Sequence, residues 1–464
     1  MTSTAIPSTG ARERSVTDVS GKHPKGLYVL FATEMWERFS FYSMIALFTL
    51  YMQDPNEGFG WTAARTTGLY ANYLMFVYAS PLIGGWIADR ALGYRRAVMI
   101  GGLFFTAGHL LLSFRSLTAV YAALACLVIG NGFFKPNVST MVGNLYPEGS
   151  HLKDRAYNIF YMGINIGAAL APIVAQFVKS TFGVHPAFAV AAGGMVISVW
   201  ILWQFRRYVD PPRETTTNAA THAANAAAVA VDAPPSGISH QSAIEGVPEW
   251  KRITALIVIF LVVIVFWMVF HQNGSTLTYW AENNTDWGFI EKAGTLSNAI
   301  NPLWVITLTF PLIWFWKWLD TKGLEPATPT KMVFGMTLTG LSFFVMYFAA
   351  KAGEATATGD SPYNFVVSPA WLVSAYAVLT LGELMLSPMG LSLVSKVAPI
   401  RMRGLMMGGW FVATALGNKL TQIGVFWDRW LHSSFFAVLG GMALIMAVVL
   451  LVLLKPLKKA MPGV

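Results

Sequence analysis

One apolar stretch near the start of the chain carries four groups that can hold or move a proton. It reads Glu34-Met-Trp-Glu37-Arg38-Phe-Ser-Phe-Tyr42. In an α-helix these four residues share one face, so two carboxylates, a guanidinium and a phenol form one stripe. Two carboxylates beside one arginine do not titrate independently. We therefore predict that one stays ionised against Arg38 while the other takes up and releases a proton. A structural ion pair that fixes helix packing is the competing interpretation.

Two further ionisable residues lie deep in other apolar stretches. Lys135 precedes Pro136, and Glu383 stands four residues before the pair Ser387-Pro388. A charge at the centre of a bilayer costs at least about 2.5–3.5 kcal/mol, so each calls for a partner or a function. We predict that Lys135 and Glu383 either form a breakable ion pair between the two halves of the chain or bind the two ends of a zwitterionic substrate. Snorkelling to the membrane surface is the structural alternative.

Tyr, Asn, Gln and Trp residues inside the apolar stretches combine hydrogen bonding with apolar contact, which suits a pocket for varied side chains. Packing between membrane helices and anchoring at interfaces are the alternatives. His271, beside Gln272, is a further titratable candidate. The predicted proton-coupling residues are Glu34, Glu37, Arg38 and Lys135. The predicted substrate-binding residues are Tyr42, Tyr78, Lys135, Asn158, Gln272, Asn301, Glu383, Ser387 and Trp410.

The chain that carries these residues is too apolar for a soluble domain. Of its 464 residues 55% are hydrophobic and 12% charged, and the mean hydropathy is +0.51. Soluble domains carry about 25% charged residues. Apolar blocks of roughly 20 residues span a bilayer as helices, because lipid offers no hydrogen-bond partners to the backbone N–H and C=O groups. We predict an all-α integral membrane protein with twelve spans, near residues 27–52, 67–89, 96–114, 117–140, 156–179, 184–205, 253–279, 295–319, 332–350, 367–396, 403–427 and 433–455.

The basic residues outside these spans predict the orientation. When the loops are assigned to alternate sides, 23 Lys and Arg residues fall on one side and six on the other. This bias is the positive-inside pattern, so both termini are predicted to be cytoplasmic. A polar, Ala-, Thr- and Pro-rich stretch separates six spans from six. The predicted parts are a cytoplasmic tail (1–26), a six-helix bundle (27–205), a cytoplasmic linker (206–252), a second six-helix bundle (253–455) and a cytoplasmic tail (456–464).

Other chemistry finds no support in the sequence. It has no phosphate-binding Gly-Lys-Ser/Thr loop, no histidine pair with metal spacing and no Gly-x-Ser-x-Gly turn. The single cysteine, Cys126, excludes a disulfide framework. We predict no enzyme activity, no cofactor and no metal. The net charge of +9 is typical of basic cytoplasmic loops rather than of nucleic-acid binding.

Three motifs resemble those of the proton-dependent oligopeptide transporter family, a branch of the major facilitator superfamily. The run from Glu34 to Tyr42 resembles its span 1 motif. Gly84-Gly-Trp-Ile-Ala-Asp-Arg-Ala-Leu-Gly-Tyr-Arg-Arg96 resembles its loop signature after span 2. Phe160-Tyr-Met-Gly-Ile-Asn-Ile-Gly167 resembles its span 5 signature. The resemblance implies two six-helix bundles in alternating access, and proton-coupled import of di- and tripeptides across the cell (inner) membrane.

The resemblance also implies residue roles. Glu34, Glu37 and Arg38 would couple protons with Lys135 as their partner, and Glu383 would engage the peptide amino group or pair with Lys135. The residues implied to line the peptide pocket are Tyr42, Tyr78, Asn158, Asn301, Ser387 and Trp410. Because the family fold needs no second copy to form its pathway, we expect a monomer.

Three positions depart from the family pattern. Ile45 stands where many members have an arginine, and Phe41 where they have a tyrosine. In span 7, His271 lies where an acid is usual, and it is a candidate substitute. A proton-coupled symporter of another solute, such as nitrate or a glycoside, is therefore the alternative. A membrane receptor or membrane enzyme would need signalling segments or catalytic clusters, and the sequence shows neither.

Overall fold

The computed structural model describes residues 23–146, 152–209, 246–288, 293–359, 361–399 and 402–461. Only the backbone is described for 152–155, 387–392, 395–396, 403–404 and 407. Apart from an isolated β-bridge between Thr285 and Val367, the regular secondary structure in these parts of the chain is helical. The helices of eighteen or more residues are α1 (Lys25–Gln53), α2 (Ala63–Ile87), α3 (Tyr94–Leu112), α4 (Leu117–Asn144), α5 (Leu152–Phe182), α6 (Val184–Gln204), α7 (Glu249–Phe270), α8 (Ser297–Thr321), α9 (Thr328–Glu354), α10 (Pro369–Val397), α11 (Arg403–Leu420) and α12 (His432–Ala460).

Eight segments of the described residues are long and apolar enough to cross a membrane. They lie in α4 to α10 and in α12, and α7 counts together with the short helix Thr276–Asn283 that follows it. The prediction of an all-α chain with several membrane spans is confirmed. The other four long helices are α1, α2, α3 and α11. Of these, α1 carries the charged stripe of Glu34, Glu37 and Arg38, and α11 carries Lys419. The count of twelve spans stays a prediction.

The helices pack around two apolar cores. In the first, α1 packs on α5 and α6, and α3 packs on α4, around buried side chains such as Phe48, Phe105 and Phe188. In the second, α9 packs on α10 and α12, around side chains such as Phe343 and Phe435. Between the two groups, α2 contacts α11 and α5 contacts α8. Each half of the chain therefore has its own core, and the two halves meet along these helix pairs.

Span 7 is interrupted, although the sequence predicted one continuous helix over 253–279. The α-helix ends at Phe270, and His271–Gly274 form one 3₁₀ turn before the short helix Thr276–Asn283. Gln272 supports this break, because its Nε2 donates to the carbonyls of Met268 and Thr421 (both 3.2 Å). Gly274 permits close packing there, since a Cβ atom would lie 1.9 Å from the hydroxyl of Tyr70 on α2.

The helix boundaries differ from the predicted domain limits at three places. α7 begins at Glu249, inside the predicted linker 206–252, and most of that linker (210–245) lies outside the described residues. α12 continues to Ala460, past the predicted end at 455. Of the predicted tail 1–26, only the part from residue 23 is described, and α1 begins within it at Lys25. Lys and Pro residues near helix ends are compatible with a helix, so polarity alone predicted the starts of α1 and α7 too late and the end of α12 too early.

The contact of α2 with α4 depends on a glycine. A Cβ atom on Gly84 would lie 1.9 Å from the carbonyl oxygen of Gly132, a backbone atom that cannot move alone. Gly84→Ala must therefore separate the helices, and we expect it to cost about 1–3 kcal/mol of stability. The neighbouring Gly85→Ala is the matched control, because its Cβ would lie 3.7 Å from Pro136. Thermal unfolding in detergent should show a lower melting temperature for the first variant only. Equal melting temperatures would contradict this packing.

Candidate functional site

The stripe on α1 is a buried cluster of three charges. Arg38 binds Glu37 in a bidentate manner, with Nη2 donating to Oε1 at 2.6 Å and Nε to Oε2. The same Nε lies 3.2 Å from Oε1 of Glu34, one helical turn away. The three residues are between 0% and 4% exposed. The structure therefore brings together the two carboxylates and the guanidinium that the spacing predicted on one face.

The two carboxylates differ in how their oxygens are bonded. Both oxygens of Glu37 accept from Arg38, whereas Oε2 of Glu34 is buried and has no hydrogen-bond partner in the described part of the chain. A proton arriving at Glu34 would leave the bidentate pair intact. A proton arriving at Glu37 would displace a charge-assisted bond, which is worth about twice a neutral one. The geometry favours Glu34 as the carboxylate that exchanges the proton.

Lys135 on α4 lies close to this cluster. Its charge acts electrostatically on Glu34 and Glu37, and its Nζ lies 4.8 Å from the ring centroid of Tyr78. The face of an aromatic ring attracts a cation at this distance. Lys135 therefore has a position between α2 and the stripe without a direct salt bridge to either carboxylate.

Glu383 on α10 faces this cluster from the other half. Asn301 Nδ2 donates to its Oε2 at 2.9 Å and also to Oγ1 of Thr380 at 2.9 Å. Its charge acts electrostatically on Tyr42 and Tyr78 of the first half. Charged groups of both halves thus converge on one central region. We call it the central site, formed by Glu34, Glu37, Arg38, Tyr42, Tyr78, Lys135, Asn301 and Glu383.

The predicted ion pair between Lys135 and Glu383 is not formed in this conformation. Both side chains are described, and no nitrogen–oxygen distance between them falls within 4.0 Å. Each residue instead has a neutral neighbour, the Tyr78 ring for Lys135 and the Asn301 amide for Glu383. A pair in another conformation stays a prediction. Here both residues are partly buried and unpaired with each other.

The remaining predicted residues have different surroundings. Asn158 is exposed on α5, and Trp410 on α11 is 3% exposed with its ring 6.4 Å from that of Phe260. Ser387 belongs to α10, but its side chain is outside the described ones. Gln272 is fully buried, and its Oε1 also accepts from Thr276 at 2.8 Å. Its amide thus stabilises the break in span 7 in this conformation.

The structure shows the surroundings of two residues that depart from the family pattern, Phe41 and His271. The Arg38 guanidinium lies 5.0 Å from the ring centroid of Phe41, so this ring retains a cation–π contact where a phenol is usual. His271 stacks on Trp267 (5.1 Å, 20°) and lies 5.6 Å from the Tyr78 ring. Its Nε2 is buried without a partner among the described residues. His271 therefore borders the central site.

Sequence reasoning did not assign a role to Thr380 or Tyr161. Thr380 is fully buried and shares the Asn301 amide with Glu383. Tyr161 is 46% exposed on α5, and Glu383 acts on it electrostatically across the two halves. Tyr161 belongs to the span 5 motif, and that motif could have indicated a role for it. Thr380 had no such signal, because a threonine one turn before an acid is common in helices.

The halves also make polar contacts at the side predicted to be outside the cell, and we call this region the outer seam. Lys179 Nζ lies 3.3 Å from Glu282 Oε1, and the Thr67 and Tyr279 hydroxyls are 3.1 Å apart. Thr49 donates to the carbonyl of Gly274 at 3.1 Å. In addition, Lys419 on α11 donates to Asn72 on α2. These contacts hold the outer ends of the halves together.

We expect Lys179→Gln to loosen the outer seam. The two side chains are 20% and 12% exposed, and an ion pair near the surface contributes about 0.2–1 kcal/mol, so its loss should raise the open fraction by roughly 1.5- to 5-fold. Spin labels at the exposed Asn56 and Asp286, after Cys126→Ser, would report the distance between the halves. The matched control is Lys351→Gln, whose partner Glu354 (3.6 Å) belongs to the same helix. Identical distance distributions for wild type and Lys179→Gln would show that this pair does not hold the seam.

Comparison with known proteins places the chain in a family. A family model described as the POT family matches residues 95–233 and 210–425. An uncharacterized transporter of Bacillus subtilis is 31% identical over 482 residues, covering 95% of this chain and 96% of that protein. A di-/tripeptide transporter of Lactococcus lactis subsp. cremoris is 30% identical over 492 residues, covering 95% of this chain and 97% of that protein.

Solved structures of POT transporters have a fold similar to that of this chain. A peptide transporter POT in complex with sulfate is 30% identical and superimposes with a TM-score of 0.81, covering 95% of this chain and 96% of that one. A POT family transporter in complex with 5-aminolevulinic acid is 26% identical, with a TM-score of 0.79 and coverage of 94% and 97%. The chain is thus a multi-pass membrane protein with the POT transporter fold, and it belongs to the proton-dependent oligopeptide transporter (POT) family.

Proposed function

We propose that the protein imports di- and tripeptides together with protons by alternating access. The observation that carries the proposal is the convergence of charged groups from both halves on the central site. Glu34, Glu37, Arg38 and Lys135 approach it from the first half, and Glu383 with its Asn301 partner from the second. The name of the Lactococcus relative, a di-/tripeptide transporter, supports peptides as the substrate class.

The central site offers a cation and an anion to a zwitterion. Lys135 would bind the peptide carboxylate and Glu383 the peptide amino group, because charged hydrogen bonds contribute about 1.5–3 kcal/mol each. Tyr42, Tyr78 and Asn158 would supply hydrogen bonds and broad ring surfaces to the peptide between them. Ser387 and Trp410 would complete the pocket from the second half.

Proton coupling is proposed to run through the α1 cluster. Protonation of Glu34 removes one negative charge from the neighbourhood of Arg38 and Lys135, so the field at the peptide carboxylate site becomes more positive. Proton binding and peptide binding would then favour each other, as linkage requires. The closed outer seam is compatible with one of the two end states of alternating access.

The proposed topology follows the fold of the family. We propose twelve spans in two six-helix bundles of the major facilitator fold, with the bundle, linker and tail boundaries given above. Both termini would lie in the cytoplasm of a cell whose inner membrane holds the protein. We propose a monomer that needs no cofactor. The basic loops at the predicted cytoplasmic ends support this orientation.

The test is uptake of labelled di-alanine by liposomes that contain the purified protein. An inward proton gradient should drive concentrative uptake, and an uncoupler should abolish it. Glycine at the same concentration is the control for nonspecific leak, because it carries both charges at a shorter spacing. If a sample with an intact melting transition moved no peptide, the peptide assignment would fail.

The second candidate is a proton-coupled symporter of another small solute, such as nitrate or a glycoside. It is favoured by Ile45, which is 6% exposed and leaves Lys135 as the cation for a peptide carboxylate in the central site. In the same liposomes, proton-driven uptake of labelled nitrate or a labelled glycoside, without uptake of di-alanine, would support this second assignment.

A further inference from the structure

Two ring nitrogens in span 7 are buried beside the central site without a hydrogen-bond partner. One is Nε1 of Trp267 in the last turn of α7, and the other is Nε2 of His271 in the 3₁₀ turn that follows. His271 is 9% exposed, and neither nitrogen has a partner in the described part of the chain. A buried polar group without a partner costs about 1–3 kcal/mol. Two such groups on successive turns therefore indicate a place for a ligand.

The two rings stack and hold each other in position. Their centroids are 5.1 Å apart and their planes are inclined by 20°. Since the N–H bonds of indole and imidazole lie in the ring planes, the two donors lie in nearly parallel planes. The Tyr78 ring on α2 lies 5.6 Å from the His271 ring and 6.4 Å from the Trp267 ring. The pair and Tyr78 thus form one aromatic wall of the central site.

A positive charge next to this wall determines which ligand it suits. Lys135 Nζ lies 4.8 Å from the Tyr78 ring centroid, and its charge acts electrostatically on His271. No carboxylate in the described residues lies within 4.0 Å of Lys135 Nζ. The indole N–H can only donate, and Nε2 of a neutral imidazole donates in one of its two tautomers. Two donors beside an ammonium group favour an acceptor with a negative charge, because a water molecule would leave the ammonium uncompensated.

We propose that His271 and Trp267 bind the terminal carboxylate of the transported peptide together with Lys135. A carboxylate has two oxygens with about four lone-pair sites, so it can accept from the ammonium, the imidazole and the indole at once. Lys135 supplies the charge, and the two ring donors fix the orientation of the carboxylate. The subsite rests on the proposed peptide transport, and it makes His271 and Trp267 specificity-determining residues for the carboxyl end of the peptide.

The test is competition against labelled di-alanine in counterflow, with unlabelled di-alanine and alanine ethylamide as competitors. Alanine ethylamide is di-alanine without its carboxyl group. His271→Phe keeps a ring for the stack on Trp267 but removes the donor, so its affinity for di-alanine should fall by roughly tenfold. Its affinity for alanine ethylamide should stay within about twofold of the wild-type value. Trp267→Phe should show the same selectivity, and His271→Gln, which carries an N–H donor, should recover part of the loss.

His109→Phe is the matched control. His109 on α3 is also a fully buried imidazole stacked on a ring, that of Phe105, and both its nitrogens lack partners in the described part of the chain. This variant should change neither affinity. An unchanged affinity of His271→Phe for di-alanine, or an equal loss for both competitors, would overturn the subsite.

The melting temperature without peptide separates ligand binding from a role in folding. His271→Phe should melt no lower than wild type, because His271 Nε2 bonds to no described residue. A lower melting temperature would assign the imidazole to the fold and overturn the subsite. If wild type showed no counterflow of di-alanine at all, the proposed function would fail and the subsite with it. Normal counterflow in wild type together with an unaffected His271→Phe would overturn the subsite alone.

Discussion

Glu34→Gln should abolish proton-driven accumulation of peptide while exchange of peptide across the membrane continues. The glutamine amide is neutral, as the protonated carboxyl is, but it cannot release a proton at the end of the cycle. Arg38 keeps its bidentate partner Glu37, so the central site should remain assembled. The internal-to-external peptide ratio under a proton gradient should fall to about one, because no ion gradient then contributes free energy to transport.

Glu37→Gln should have a broader effect. It removes the negative charge that pairs with Arg38 and replaces one of the two acceptor oxygens with an NH₂ group, so Glu34, whose Oε1 lies 3.2 Å from Nε, becomes the remaining carboxylate partner of Arg38 in this cluster. Breaking a buried ion pair costs about 3–5 kcal/mol, so we expect a lower melting temperature as well as lost accumulation. The two variants would therefore separate coupling from assembly of the cluster.

The measurement is uptake and counterflow of di-alanine in the same liposomes. Glu325→Gln is the control, because its carboxylate pairs with Lys331 outside the central site and is partly exposed. Accumulation by Glu34→Gln at the wild-type level would exclude Glu34 as the coupling carboxylate. If Glu37→Gln alone lost accumulation without loss of stability, the roles of the two carboxylates would be exchanged.

The sequence predicted the local features of the central site well, for a physical reason. Residues 34, 37 and 38 share a face in any α-helix, so their contact depends only on helical geometry. Charges in apolar spans such as Lys135 and Glu383 are costly, and this cost marked them without knowledge of the fold. The POT family resemblance that these residues carried is confirmed by the relatives and the solved structures.

Contacts between distant parts of the chain could not be predicted in this way. Lys179 and Glu282 are 103 positions apart, and no periodicity connects them. The break in span 7 depends on the Gln272 amide bonding to Thr421 in another helix end, and on Gly274 meeting Tyr70. Hydropathy counts all of these positions as part of one apolar run. Such features arise from tertiary packing, which local patterns do not contain.

The second large effect concerns the two ends of the peptide. If Glu383 binds the amino group, Glu383→Gln should lower the affinity for di-alanine by roughly 10- to 150-fold. The variant loses a charge-assisted hydrogen bond to the peptide of about 1.5–3 kcal/mol. Asn301 can still bond to the new amide, so the local network should survive. Lys135→Gln should cause a similar loss at the carboxylate end, where the Tyr78 ring offers no replacement charge.

Modified peptides provide the decisive comparison. N-acetyl di-alanine lacks the amino charge, so its affinity should be insensitive to Glu383→Gln and sensitive to Lys135→Gln. Di-alanine amide lacks the carboxylate, so the pattern should reverse. Competition against labelled di-alanine in counterflow measures the three peptides with wild type and both variants, nine combinations in all, and the coupling energy between each charge and each peptide end follows from the resulting cycles. An equal loss of affinity for all three peptides in both variants would mean that neither residue binds one particular end of the peptide. Lys135 and Glu383 would then act on each other in an ion pair between the halves, and the zwitterion assignment would fail.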